Sequence, residues 1–190
     1  GNVLKAMEWL VHFGADENIL VDAHPHIGTN KLPKIISSMR EAIIKAGGEV
    51  HFNSKLTDIK IKNSQINSIE INNKNWIEFD NIVLATGHSA RDIYYLLHKK
   101  KIKIEAKPFA IGVRIEHQQK LIDSIQYHGD DNNPYLPPAS YSLVEQVDGM
   151  GVYSFCMCPG GIIAPCATEP NEVVTNGWSP SKRNNPYSNS

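Results

Sequence analysis

The 190-residue sequence is 41% hydrophobic and 21% charged, with a formal net charge of −1, which is ordinary for a globular protein of one or two modest domains. So small a net charge argues against a broad nucleic-acid-binding surface. No apolar run approaches the roughly 20 residues of a membrane span, and no signal-peptide pattern is seen. The three cysteines form no disulfide-scaffold pattern, so we expect a reducing, cytoplasmic setting.

Residues 1–105 alternate helical and extended patterns. Apolar residues at helical spacing predict helices over 2–13, 31–46 and 90–101. Short apolar or alternating runs predict strands at 19–21, 49–53, 56–62, 65–72, 76–80 and 81–86. The three strands between 56 and 80 are separated by short turns at Asn63–Ser64 and Asn73–Lys74, which indicates a β-meander. The run 81–86 is apolar nearly throughout, as in a buried parallel strand.

Beyond residue 105 the pattern becomes richer in proline and glycine. It predicts a strand over 108–116, a short helix or turn at 121–125, a loop over 130–140, and a hairpin pairing 141–147 with 151–157. A tight turn follows at 158–161, and residues 179–190 look like a polar tail. We therefore predict an α/β fold, α+β within these 190 residues, with units 1–105 and 106–190, the second mostly antiparallel.

The small residues Ala85, Thr86 and Gly87 directly follow the apolar run that begins at residue 81. Open α/β sheets hold nucleotides at the carboxyl ends of their strands, and small residues there let the backbone approach a ligand. The alternative is a plain strand-to-helix turn, with Ser89 capping the next helix. No G-x-G-x-x-G occurs in the sequence, so the usual pyrophosphate-binding loop is not in this chain.

Cys156 and Cys158 flank one residue, so both would face one side of an extended strand. They are candidates for a redox-active or nucleophilic thiol. The alternatives are two buried, small apolar residues, which is the commoner role of free cysteine, or a metal site that would need more ligands than the chain offers nearby. His88, beside the Ala85–Gly87 turn, is a candidate acid or base, or an exposed turn histidine.

Two further polar patterns have competing interpretations. Arg114 and Glu116 share one face of a predicted strand, where they can bind a polar substrate or pair on a solvated surface. His24 and His26 form an H-x-H after an apolar run, as in metal-dependent hydrolases, but the chain is too short for the barrel that carries such sites. A loop leading into the next helix is the preferred interpretation, with Thr29 or Asn30 as its cap.

Five sequence blocks in this order resemble the bacterial family of FAD-dependent dehydrogenases, within the flavoproteins that have two dinucleotide-binding domains. The blocks are Pro25–Pro33, Gly47–Asn53, Val83–Asp92, Lys107–His117 and Val152–Gly161. The resemblance implies a segment of an FAD-binding domain over 1–105 and a substrate-type domain over 106–190. It also implies that Val50 and Ala85–Gly87 lie along the cofactor. Arg114, Gly160 and Gly161 are the candidates to face a small-molecule substrate.

The resemblance therefore predicts that this chain is an interior piece of a cytoplasmic FAD-dependent oxidoreductase. Its expected partners are a small-molecule substrate and the remainder of the parent protein, without nucleic acid or membrane. The alternatives are a non-catalytic binding or assembly module and, third, a metal-dependent hydrolase that uses His24 and His26. We expect the 190-residue chain by itself to be inactive and to bind no FAD or metal.

Overall fold

The computed structural model describes residues 2–129 and 133–190; part of the predicted loop, 130–132, lies outside these ranges. Its helices are α1 (Val3–His12), a 3₁₀ helix (Glu17–Leu20), α2 (Leu32–Lys45), α3 (Arg91–Lys99) and α4 (Gln119–Gln126). The strands are β1 (Leu56–Lys62), β2 (Gln65–Ile71), β3 (Asn75–Glu78), β4 (Glu116–Gln118), β5 (Val144–Val147), β6 (Met150–Tyr153), β7 (Ile162–Cys166), β8 (Val174–Trp178) and β9 (Tyr187–Asn189). The predicted α+β character is confirmed, and every strand pair within these ranges is antiparallel. In the described ranges, no helix is long and apolar enough to cross a membrane.

The described residues form two compact units, one from 1–48 with 111–190 and the other from 49–110. The chain thus leaves the first unit after Gly48 and returns to it at Ile111. This division differs from a single boundary near residue 105. The assignment of 1–105 to an FAD-binding segment and of 106–190 to a substrate-type domain stays a prediction.

The helical part of the first unit has a small apolar core. Ile35 on α2 is 1% exposed and clusters with Ile19 and Ala15. The side chains packed against this cluster come from α1 and the residue after it, from the loop before α2 and from α2 itself. They are Met7, Leu10, Val11, Phe13, Ile27 and Met39. Residues 17–20 form a 3₁₀ helix instead of the strand predicted at 19–21, because Asp16 accepts a hydrogen bond from the Asn18 amide (3.0 Å) and so fixes a helical turn.

The second unit contains the predicted β-meander, which is confirmed as a β1–β2–β3 sheet. Asn63 and Ser64 both have positive φ, 51° and 61°, as the two central residues of a type I′ hairpin turn require. Ile59 is buried and lies opposite Ile69 on β2. Lys100, which directly follows α3, forms an ion pair of 2.6 Å with Asp58 on β1 and so connects the end of this helix to the sheet.

Several predicted strands are absent from the described chain. Residues 49–53, 81–86 and 108–115 belong to no strand, and Val83 is 89% exposed, so the buried parallel strand was wrong for this structure. A strand needs a neighbour to satisfy its backbone groups, and apart from Ser190, which pairs with Ile115, the described residues provide none beside these segments. The predicted polar tail is also wrong: residues 187–189 form β9, in which Ser188 and Asn189 are fully buried.

The Asp58–Lys100 ion pair predicts a specific pH dependence of stability. The hydrogen bond from Lys100 is the main cause that lowers the pKa of Asp58 below its ordinary value. A carboxyl whose pKa is depressed by folding stabilises the protein above its unfolded pKa of about 3.9, and this contribution is lost as the pH falls through the folded pKa.

Asp58→Asn should therefore lower the free energy of unfolding by about 0.5–1 kcal/mol at pH 7, with the difference from wild type shrinking below about pH 4. Urea unfolding at several pH values measures it. Asp80→Asn, for which no ion pair is recorded in the described ranges, is the matched control. An equal Asp58→Asn effect at pH 3 and pH 7 would contradict the ion-pair explanation.

Candidate functional site

The first unit brings together Arg114, Cys156 and Cys158, which the sequence had marked separately. The Arg114 Nη1 donates hydrogen bonds to the Asn189 Oδ1 (2.6 Å) and to the Cys156 carbonyl (3.4 Å). The Cys158 Sγ donates to that same carbonyl (3.5 Å). Cys158 also pairs with Asn189 through two backbone hydrogen bonds of 2.7 and 3.3 Å. We call Arg114, Cys156, Cys158 and Asn189 the thiol–arginine cluster.

A glycine makes room for this cluster. A Cβ placed on Gly177 of β8 would collide with the Cys158 sulfur and the Arg114 Nη1, and would lie 3.0 Å from the Asn189 Oδ1. Three functional groups from three separate segments therefore converge on one point above the Gly177 backbone. No side chain larger than hydrogen fits there without displacing them.

The two thiols of the cluster differ in their surroundings. Cys156 is exposed and has a positive φ of 52°, whereas Cys158 is 8% exposed. Burial is the largest cause that raises the pKa of the Cys158 thiol, the nearby Cys156 raises it further, and the Arg114 charge acts in the opposite direction. Cys158 is therefore a protonated thiol at neutral pH, and a poor nucleophile as it stands.

Asn189 is the member of the cluster that sequence reasoning missed. It is 0% exposed and its side-chain nitrogen has no hydrogen-bond partner in the described residues, while the neighbouring Ser188 hydroxyl is in the same state. A fully buried amide that uses only its oxygen is uncommon, because an unpaired donor keeps its desolvation cost. Nothing in the local pattern of residues 179–190 signals this burial, since it arises from pairing with distant segments.

The turn after Cys158 is fixed by packing. The Gly160 amide donates to the buried Gln119 Oε1 (2.8 Å), and the Ser179 hydroxyl donates to the Pro159 carbonyl (3.0 Å). A Cβ on Gly160 would collide with the Arg183 backbone, and one on Gly161 with the Trp178 carbonyl. Close packing thus accounts for both glycines, and their contact with substrate stays a prediction.

The residues predicted to face the cofactor lie in the second unit. Ala85, Thr86 and Gly87 are exposed, Gly87 has a φ of 78°, and nothing lies within 4 Å of a Cβ built on it. An exposed backbone with free space at a glycine fits close approach by a flat ligand. His88 is exposed next to them, and its Nε2 lies 3.4 Å from the Ser89 hydroxyl. Val50 is 38% exposed.

The alternative interpretation of this turn predicted that Ser89 caps the next helix, and this prediction is wrong. Helix α3 begins at Arg91, its cap position is Ala90, and no side-chain cap hydrogen bond is formed there. The Ser89 carbonyl instead accepts from the Arg91 amide (2.9 Å). The Ser89 hydroxyl is therefore not committed to the helix.

The two histidines of the H-x-H pattern differ: His24 is exposed, whereas His26 is half-buried and hydrogen-bonded. The His26 ring nitrogen Nε2 is 3.1 Å from the Pro180 carbonyl, and burial is the main cause that lowers the His26 pKa. A neutral His26 donates this hydrogen bond and ties its loop to residues 179–181, as does the Thr29 amide to the Ser179 carbonyl (3.0 Å). In the described ranges, no three or more His, Cys, Asp or Glu residues are grouped as metal ligands.

The neighbours of Cys158 predict how the three thiols react. Iodoacetamide should alkylate the exposed Cys156 and Cys166 before Cys158, because the Cys158 thiol is buried and its pKa is raised. Arg114→Gln removes the charge that lowers this pKa, so the pH at which Cys158 alkylation becomes fast should rise. Peptide mass spectrometry of timed samples measures the rate at each cysteine. Arg114→Lys keeps the positive charge and is the control; Cys158 labelling as fast as Cys156 would contradict this account.

Comparison with known proteins points to flavin-dependent proteins. Residues 108–190 match the family model described as "FAD-dependent protein, C-terminal domain-like". A curated protein of Clostridium beijerinckii, described only as an uncharacterized protein, is 45% identical over 175 residues, which cover 91% of this chain and 33% of that protein. The chain thus spans about a third of the length of this relative. These similarities support an FAD-dependent protein family.

Proposed function

We propose that this chain is part of an FAD-dependent oxidoreductase, a dehydrogenase that acts on a small molecule in the cytoplasm. The observation that carries the proposal is the match of residues 108–190 to the C-terminal domain of FAD-dependent proteins. The exposed, open backbone at Gly87 supports it independently, because that backbone follows the apolar run at which the cofactor is expected.

In this proposal each unit has a separate task. Ala85, Thr86 and Gly87, with Val50, hold the cofactor through backbone contacts. FAD, when bound, supplies the electron transfer, while the protein binds and orients the reactants. Arg114, held by the Asn189 oxygen, is the candidate to bind a polar group of the substrate.

The thiols and His88 have smaller roles in this proposal than the cofactor-binding residues and Arg114. Cys158 stays protonated beside Arg114. Its role is therefore to donate a hydrogen bond and to pack, and not to act as a nucleophile. Cys156 is exposed, and His88 is exposed beside the cofactor residues. Both are accessible enough to hold or transfer a proton or to be attacked by a reagent.

The main alternative is a non-catalytic binding or assembly module, which would contain no flavin. The third alternative, a hydrolase built on His24 and His26, has less support, because it needs further metal ligands and the described residues group no three His, Cys, Asp or Glu side chains. Flavin content separates the first alternative from the proposal.

Two glycines allow a matched test in the full-length protein. Gly87 and Gly149 have nearly the same φ, 78° and 77°, and both have nothing within 4 Å of an added Cβ. Alanine at either site therefore carries the same backbone strain, on the order of 1 kcal/mol. Gly87→Ala should raise the dissociation constant for FAD at least tenfold, because its methyl group lies where the cofactor approaches.

Gly149→Ala, at the β5–β6 turn, should leave FAD affinity unchanged while lowering stability by a similar amount. Equilibrium titration of the deflavinated protein with FAD, read by flavin fluorescence, measures both variants. Equal affinities for the two variants would contradict the cofactor role of Gly87. A full-length protein that binds no FAD at all would contradict the proposed function.

A further inference from the structure

The β4–β9 ladder continues beyond the residues assigned to its two strands. Glu116, His117 and Gln118 pair with Asn189, Ser188 and Tyr187. Ile115 and Ser190 then exchange two backbone hydrogen bonds, from the Ile115 amide to the Ser190 carbonyl (2.9 Å) and from the Ser190 amide to the Ile115 carbonyl (3.0 Å). The ladder is therefore still in perfect antiparallel register at this pair.

The segment Ile111–Ile115 extends this edge with the pattern of a strand. Ile111, Val113 and Ile115 are 89%, 84% and 54% exposed, and they alternate with Gly112 and Arg114. On an extended chain the three apolar side chains share one face. Within the described ranges, no backbone hydrogen bond is recorded for residues 111–114. An apolar, unpaired strand edge is a site for addition of another strand.

We propose that Ile111–Arg114 pairs with a strand that continues β9 past Ser190 in the full-length protein. The direction of the ladder selects this occupant over a separate partner, because it leads the β9 backbone directly alongside this edge. The chain spans only 33% of the length of its relative, so a longer protein has the length to supply such a strand. The proposal is independent of the proposed function, because it concerns pairing of the backbone and not the cofactor.

The register fixes which residues meet. Extending the observed pairs places the second residue after Ser190 opposite Val113, and the fourth opposite Ile111. Hydrogen-bonded pairs recur at every second residue of an antiparallel ladder, and Ile115 forms such a pair with Ser190. Val113, two residues before Ile115, therefore also forms a hydrogen-bonded pair, with a Cα–Cα distance of about 5.5 Å. That distance lies within the range that a disulfide spans, whereas a one-pair shift along the same face gives roughly 8–9 Å, which is too long.

Cysteine cross-linking in the full-length protein tests this register. One variant combines Val113→Cys with a cysteine at the second residue after Ser190, and the control combines Val113→Cys with a cysteine at the fourth. Because Val113 is 84% exposed, its replacement should leave folding intact, which circular dichroism verifies. After mild oxidation, mass spectrometry identifies the linked peptides, including any that involve the three native cysteines.

We expect the in-register pair to form an intramolecular disulfide at least ten times faster than the control pair. Equal rates, or no cross-link from Val113→Cys, would overturn the proposed register. Cross-links between two protein molecules would assign this edge to a second copy and overturn the proposal. An open reading frame that stops at Ser190 would also overturn it.

Discussion

The pairing of residues 187–190 with two distant segments, which buries Ser188 and Asn189 completely, is the constraint on which the first unit depends. This short strand pairs with β4 on one edge and with Cys158 on the other, so it joins parts of the chain that are about 30 and about 70 residues away. Asn189 adds a side-chain contact, since its oxygen accepts from Arg114. The position of Arg114, which the sequence offered as a candidate for substrate binding, follows from this strand.

Local signals in the sequence predicted the helices and the meander well. Helix α2 has apolar residues at helical spacing, Pro33 in its first turn and two glycines at its end, and the structure places it within two residues of the prediction. The meander follows from alternating patterns and from Asn63–Ser64, whose positive φ values the turn requires. In both cases the information lies within a few neighbouring residues.

Pairing between distant segments could not be predicted in the same way. The run 81–86 has the composition of a buried strand, but its partners are not specified by its own residues, and in the described structure Val83 is exposed. The opposite error concerns Asn189, which lies in a polar stretch and is nevertheless fully buried. The convergence of Arg114, Cys158 and Asn189 over Gly177 likewise depends on long-range pairing, so the sequence marked two of these residues without indicating that they meet.

We propose that a complete flavin site forms only when this chain is part of its full-length protein. The measurement is the flavin content of the purified full-length protein and of the 190-residue chain, prepared in parallel and read by visible absorption. We predict close to one FAD per full-length molecule and none in the shorter chain, because no glycine-rich loop for the pyrophosphate is present in these 190 residues. A colourless full-length protein, or stoichiometric flavin in the 190-residue chain, would contradict the account.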